Sequence, residues 1–316
     1  MRILYDYQIF SLQRYGGVSR YIFELIRRCA RNPELEVDFY PLLHLSGYDL
    51  DSVASECRRF RGLRRPPVRY VNTALIALNR LLFRGLSGGG DIYHATYYHE
   101  DLDRGGSRGA PVLTAHDMIQ ELYPQYFPGD TTADRKARAV RAAAGVLAVS
   151  HQTKKDLVEI LGVDPAKVRV VYHGNSLEAP VSGDDPPLCP EPYILYVGPR
   201  FEYKNFSALR DAYCESPMLR KEYRLLLFGG GPLSEADRAV LQRAGALERV
   251  TQLGGDDRML ARAYAGAAVF VYPSLYEGFG IPPLEAMRYD CPGVASRGGA
   301  IPEICGDAAR YFDPAD

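Results

Sequence analysis

Twice along the chain the same local pattern appears: a short apolar run, a loop, then apolar residues at helical spacing. The first copy opens at Arg2-Ile3-Leu4-Tyr5 and passes through Gly16-Gly17. It continues with Val18, Ile22, Leu25, Ile26 and Cys29 on one helical face. Further apolar runs at 37–42, 91–94, 111–114, 145–149 and 168–172 alternate with helical stretches. Strands separated by crossover helices pair in parallel, so this alternation predicts an α/β fold with doubly wound sheets.

Residues 179–192 carry five prolines among acids and small residues and read as a linker. The pattern then restarts. Tyr193-Ile194-Leu195-Tyr196-Val197-Gly198 echoes Ile3-Leu4-Tyr5-Asp6, and strands follow at 223–228, 249–253, 268–272 and 293–296. The expectation is two Rossmann-like domains, 1–178 and 193–316, facing each other across a cleft. Ligands of such sheets sit beyond the carboxyl ends of the strands. The second domain ends at Asp313-Pro314-Ala315-Asp316, where another helix is expected, and so reads as cut short.

Charge and composition narrow the function. Lys plus Arg number 38 and Asp plus Glu 39, which argues against a dedicated nucleic-acid binder. No apolar run reaches the roughly 18 residues of a membrane-spanning helix. Asp6 falls where a signal peptide needs apolar residues, so a cytoplasmic chain is expected. The six cysteines are scattered, with neither CxxC nor zinc-site spacing, and read as reduced apolar fillers. Asp101-Leu102-Asp103 is a literal D-x-D, read as an ordinary polar loop, and no metal or cofactor is expected. Region 58–69 holds Arg58, Arg59, Arg61, Arg64, Arg65 and Arg69. It reads as a solvated face or loop, or else as a peripheral contact with anionic lipid at the inner membrane face.

The strongest chemical signal is Tyr276-Glu277-Gly278-Phe279-Gly280-Ile281-Pro282-Pro283-Leu284-Glu285-Ala286-Met287. A strand ends, a glycine loop turns and a helix opens at the prolines, where a missing N–H costs nothing. Backbone N–H groups of such a loop can hold an anion, and Gly278 and Gly280 allow close approach. Glu285, expected in the first helical turn, can accept hydrogen bonds from a ribose diol.

Glu277 through Glu285 resembles the E-x7-E motif of retaining glycosyltransferases of family 4, which have the GT-B fold. Gly16-Gly17-Val18-Ser19-Arg20-Tyr21 resembles that family's N-terminal glycine loop. Ser296–Glu303 and Gly306-Asp307-Ala308-Ala309 resemble the segment after the motif. The resemblance covers nearly the whole chain and implies a hexosyltransferase that uses a GDP- or UDP-sugar. The opening residues are similar to bacterial mannosyltransferases of surface-polysaccharide assembly. That implies a glycan or lipid-linked acceptor.

The resemblance also implies roles. Arg200 and Lys204 match the diphosphate clamp, although the family's Arg often stands nearer the glycine and further from the Lys. Gly229-Gly230-Gly231 resembles another donor-facing loop, and Gly17, Gly230, Gly278, Phe279, Gly280 and Glu285 fall on donor-binding positions. Glu277 lies near the donor sugar, and His116 matches a histidine at the transfer centre. No residue stands out as a covalent nucleophile, and family retention is explained by front-face attack. His94, His99 and His173 remain acceptor-side or structural. Tyr5, Tyr7, Tyr15, Tyr97 and Tyr98 cluster near strand ends and could line an acceptor groove. Three other readings stay open: a non-catalytic or partner-dependent binding protein of the same fold, an NAD-dependent dehydrogenase, and a sugar-nucleotide epimerase. The dehydrogenase lacks its G-x-G-x-x-G, and the epimerase usually lacks the E-x7-E context.

Overall fold

A computed structural model of the chain describes residues 1–64, 72–86, 88–98, 102, 109–183 and 185–315, with the side chains of 72–74 outside that set. The chain forms two units. One comprises Met1–Glu121, Gly129–Val149 and Thr153–Tyr172; the other comprises Leu122–Pro128, Ser150–Gln152 and His173–Asp316.

The first unit contains β1 (Arg2–Tyr5), β2 (Glu36–His44), β3 (Arg59–Arg64), β4 (Ile92–Ala95), β5 (Ala110–Ala115), β6 (Gly145–Ala148) and β7 (Val168–Val170). They form one parallel sheet in the order β3-β2-β1-β4-β5-β6-β7. Residues of β1 and β2 are buried on both faces, as parallel sheets covered by helices require. One cluster of buried residues includes Ile3, Tyr5, Phe10 and Ile22; another includes Leu4, Tyr93, Leu113 and Val146.

The second unit contains β8 (Tyr193–Val197), β9 (Arg224–Phe228), β10 (Val250–Leu253), β11 (Val269–Tyr272), β12 (Gly293–Ser296) and β13 (Ala309–Phe312). Its sheet is also parallel, in the order β10-β9-β8-β11-β12-β13. In each sheet the strand order reverses once, between β1 and β4 and between β8 and β11. Such reversals open crevices at the carboxyl ends of the strands, the usual place for a ligand.

Two strands escaped the sequence reading. The stretch read as a solvated, arginine-rich face is in part β3, an edge strand paired to β2. Its alternation is hidden because Phe60 faces Phe39 (ring centroids 5.7 Å apart) while arginines fill most of the outward positions. Arg58 next to it forms an ion pair with the buried Asp38 and lies 3.4 Å from Glu36. Arg65 and Arg69 lie outside the described residues. β13 was read only as part of a motif, yet it pairs in register with β12, Gly293 opposite Ala309.

The proline-rich stretch has neither helix nor strand among its described residues, but it is fastened to the second unit. Cys189 is buried, and Tyr289 Oη donates to Ala179 O at 2.9 Å. Arg258 meets Asp185 at 2.9 Å, and Arg224 and Arg249 reach Glu191 at 3.2 and 2.5 Å. Those two guanidinium groups hold the Glu191 carboxyl below the usual range.

Candidate functional site

In the second unit, β8 runs into Gly198, whose φ of +117° turns the chain toward Arg200. A residue with a Cβ is strained there, and glycine is not. β9 ends in three consecutive left-handed glycines, Gly229, Gly230 and Gly231, with φ of +75°, +72° and +76°. Arg200 closes over this loop. Its guanidinium donates to the carbonyl oxygens of Gly229 and Gly230, each at 3.2 Å, and to that of Gly231. The same group lies 5.8 Å from the Phe206 ring centroid, and burial lowers its pKa from the ordinary value. Arg200 thus donates to three successive carbonyl oxygens of this loop. A cavity of about 350 Å³ opens beside Arg200, Phe206, Ser207, Gly230 and Ser234.

Lys204 and Glu277 form the second feature. Lys204 follows β8 and Glu277 follows β11, the two strands between which the sheet order reverses. The Lys204 ammonium donates to Glu277 Oε1 at 2.6 Å, with both side chains mostly buried. Backbone bonds fix the loop that carries Glu277. Leu275 N–H donates to Tyr203 O at 2.8 Å, and Ala300 N–H donates to Glu277 O at 2.9 Å. A Cβ on Gly298 or Gly299 would sit 2.3 Å from Leu275 O or 2.4 Å from Glu277 O. The Gly-Gly pair after β12 is therefore a packing requirement of the Glu277 loop. Tyr272, fully buried, hydrogen-bonds Glu277, and burial together with that negative charge pushes its phenol pKa well up. Tyr272 stays protonated and serves as a donor.

Gly280 precedes the helix Ile281–Arg288 with φ of +106°. The helix opens with Pro282 and Pro283, as expected. Glu285 is not in the first turn, as the sequence reading had it: with the helix starting at Ile281, it lies one turn further in. It is 7 % exposed, and its Oε2 accepts from Tyr264 Oη at 3.0 Å. Phe279 is buried with its ring centroid 4.8 Å from that of His173, and Gly278 is buried beside it. Burial lowers His173 to about 4, so it is neutral at pH 7.

Gly17 and His116 belong to the first unit. Gly17 starts the helix Gly17–Ala30, and a Cβ there would meet nothing within 4 Å. One turn later Tyr21 lies across the end of β5, its hydroxyl 3.3 Å from Thr114 Oγ1 and its ring 5.3 Å from that of His116. His116 is half-buried and its backbone N–H donates to Tyr98 Oη at 3.3 Å. Its neighbour Asp117 lies 3.6 Å from the buried Lys136, which also donates to Glu121 at 2.8 Å.

His94 contacts Thr114 at 3.0 Å, and burial lowers its pKa to about 4. It is a neutral core side chain. Asp101, Asp103 and His99 lie outside the described residues. Among the described residues no group of three or more His, Cys, Asp or Glu could hold a metal. The sequence reading missed Tyr264 and Tyr272, the hydroxyl partners of the two glutamates. Both sit on apolar faces of their elements, where an aromatic ring is indistinguishable from core.

Residues 15–179 match the family model for Glycosyltransferase Family 4, and residues 191–316 match that for Glycosyl transferases group 1. The O-antigen chain mannosyltransferase B of Escherichia coli is 30 % identical over 95 % of this chain and 84 % of its own length. Sucrose-phosphate synthase from Thermosynechococcus elongatus superposes with a TM-score of 0.75 at 20 % identity, over 100 % of this chain and 86 % of that one. HepE of Anabaena, solved in complex with UDP-glucose, gives a TM-score of 0.69 at 17 % identity over 100 % and 86 %. The chain therefore belongs to glycosyltransferase family 4 and is a glycosyltransferase of the GT-B fold.

Proposed function

We propose that this enzyme moves a mannosyl group, with retention, from a nucleoside-diphosphate sugar to a glycan or lipid-linked acceptor in surface-polysaccharide synthesis. The observation that carries the donor half of this reading is the Lys204–Glu277 pair at the switch point of the second sheet, beside the glycine loops. The leaving group is a nucleoside diphosphate, so negative charge grows on its phosphates as the glycosidic bond breaks. A cation and backbone N–H groups fixed before the reaction stabilise that charge without reorganising. Lys204 is the cation of this scheme. Arg200 works behind it, binding the carbonyl side of residues 229–231 and so fixing the conformation of the loop. Glu285, held by Tyr264, is assigned to the ribose, and His116 to a hydroxyl of the transferred sugar. Neither glutamate is assigned the acid/base role of a glycosidase pair. No metal is assigned.

Mannose as the sugar is supported by the Escherichia coli relative, a mannosyltransferase. A sugar nucleotide as donor is supported by the UDP-glucose bound to HepE. Peripheral contact with an anionic membrane is supported by exposed Arg59, Arg61 and Arg64 on β3, with Leu63 67 % exposed among them. On the same unit, the helix Asn72–Leu86 exposes Leu78, Leu81 and Leu86. No described helix is long and apolar enough to cross a membrane.

The test is thermal unfolding with GDP, UDP and ADP, followed by turnover of the matching mannosyl or glucosyl nucleotide and NMR of the product anomer. A ligand at about 100 times its Kd stabilises by about 2.7 kcal/mol. A shift with one nucleotide and an α-linked product from an α-linked donor are expected. No shift with any nucleotide, or an inverted product, overturns the reading.

A further inference from the structure

We infer that Lys136, on the helix Thr132–Ala142 of the first unit, is a positioning residue for His116. The inference rests on the proposed reading of His116 as a contact of the transferred sugar.

The ladder that holds β5 runs to Leu113 opposite Ala95 and to Ala115 opposite Ala148. It stops one residue before His116, so the backbone there depends on other bonds. Two such bonds flank the histidine. Its own N–H donates to Tyr98 Oη at 3.3 Å, and the carbonyl oxygen of Asp117 accepts from Lys136 Nζ at 2.9 Å. The same ammonium lies 5.5 Å from the centroid of the Tyr98 ring, within reach of a cation–π contact. Lys136 therefore acts on both groups that hold the main chain around His116.

The ammonium is fully used. It has three N–H groups, and the remaining two go to Gln120 Oε1 at 3.0 Å and Glu121 Oε2 at 2.8 Å. All three acceptors belong to the turn 117–121. Asp117 Oδ1, 3.6 Å from Nζ, accepts the N–H of Ile119 at 3.1 Å and so closes that turn from within. His116 is seated between the strand end and this turn, its ring edge-on to Tyr21 at 5.3 Å.

Packing alone does not ask for a lysine here. Lys136 is 0 % exposed, and a desolvated ammonium is costly. Apolar residues of similar volume in place of buried ion pairs are often as stable or more so, and methionine would fill this space. What lysine adds is direction: three bonds of fixed geometry on the turn that starts beside His116.

A double-mutant cycle tests this. Release of nucleoside diphosphate from GDP-mannose and from UDP-glucose is followed in the unaltered chain, Lys136→Met, His116→Ala and the double variant. Lys136→Met should lower kcat about 10- to 100-fold, the range for a displaced contact group, with donor KM within a few-fold. In the His116→Ala background the same substitution should cost nothing further. A lysine that only stabilised the fold would not distinguish the two backgrounds. Where Lys136→Met does not fold, Glu121→Gln replaces it in the cycle, because it keeps an oxygen acceptor and removes the countercharge. A smaller loss with the same pattern is then expected. NMR of the histidine rings gives a reading without substrate. The His116 signals, identified by their disappearance in His116→Ala, should shift in Lys136→Met, and the contact with the Tyr21 ring should weaken. Unmoved His116 signals, or losses of kcat that add in the double variant, overturn the inference. A loss in His116→Ala that Lys136→Met does not share overturns it alone. An unchanged kcat in His116→Ala removes His116 from the sugar, and the inference falls together with that part of the proposed function.

Discussion

Lys204 and Glu277 meet at 2.6 Å although 73 residues separate them, and they follow the two strands at which the second sheet changes direction. The contact fixes a cation where two loops converge. With both side chains largely shielded from water, screening is weak and the pair is held in one geometry. Lys204→Ala should weaken nucleoside-diphosphate affinity by about 10- to 100-fold, the value of a charge-assisted bond to phosphate. Glu277→Gln should leave that affinity within a few-fold and lower kcat. A calorimetric comparison of both variants checks this, and equal losses of affinity in the two would contradict it.

Arg200 offers a sharper contrast. Its fork reaches three successive carbonyl oxygens, a geometry a lysine ammonium cannot copy. Arg200→Lys should therefore lose nearly as much nucleotide affinity as Arg200→Gln. If charge alone mattered, the Lys variant would behave like the unaltered enzyme.

Substituting glycines separates strain from function. Gly230→Ala forces a Cβ to 2.4 Å from Gly198 O at a φ of +72° and should destabilise the second unit by about 2 kcal/mol or more. Gly17→Ala places its Cβ in open space and should leave the unfolding midpoint nearly unchanged. A large loss of activity in that variant, with unchanged stability, would mark position 17 as a ligand contact.

Tyr264→Phe removes a hydroxyl from the buried Glu285 and should cost about 1–3 kcal/mol of stability. Because Tyr264 only orients Glu285, the donor KM should rise more than kcat falls. Glu285→Ala should abolish donor binding, and unchanged nucleotide affinity there would remove Glu285 from the donor site.

Acid sensitivity follows from His94. Its folded pKa of about 4 lies below the unfolded value near 6.5, so the unfolded chain binds the extra proton between those values. Stability from this group is complete above pH 6.5 and is lost as pH falls toward 4, by about 3 kcal/mol in all. His94→Gln should flatten this part of the pH–stability curve. An unchanged slope between pH 6.5 and 4 would show that His94 is charged in the folded state.

Most of the architecture was legible because apolar strands buried on both faces, such as Tyr193–Val197, leave continuous runs that only a covered parallel sheet produces. The edges were not. β3 is an edge strand with arginines on its open side, and β13 is short and half-buried, so neither carries the apolar signature. Glu277, Glu285 and Lys204 were singled out through the family resemblance, and the structure brings Lys204 to Glu277. Their partners Tyr272 and Tyr264 were not, because a phenol that orients a carboxylate leaves the same trace as a core aromatic ring. The contacts of Arg200 were also hidden: sequence gives an arginine near a glycine loop but not its bonds to the carbonyls of that loop.

The three left-handed glycines at 229–231 also bear on how this enzyme can evolve. Any ordinary side chain in that trio strains the backbone, and at 230 it also collides with Gly198. Substitution is therefore costliest at 230, where strain and collision add, and less so at 229 and 231, where a Cβ meets open space. A survey of tolerated substitutions across the second unit would find 230 the most restricted of the three and asparagine the commonest replacement at its neighbours.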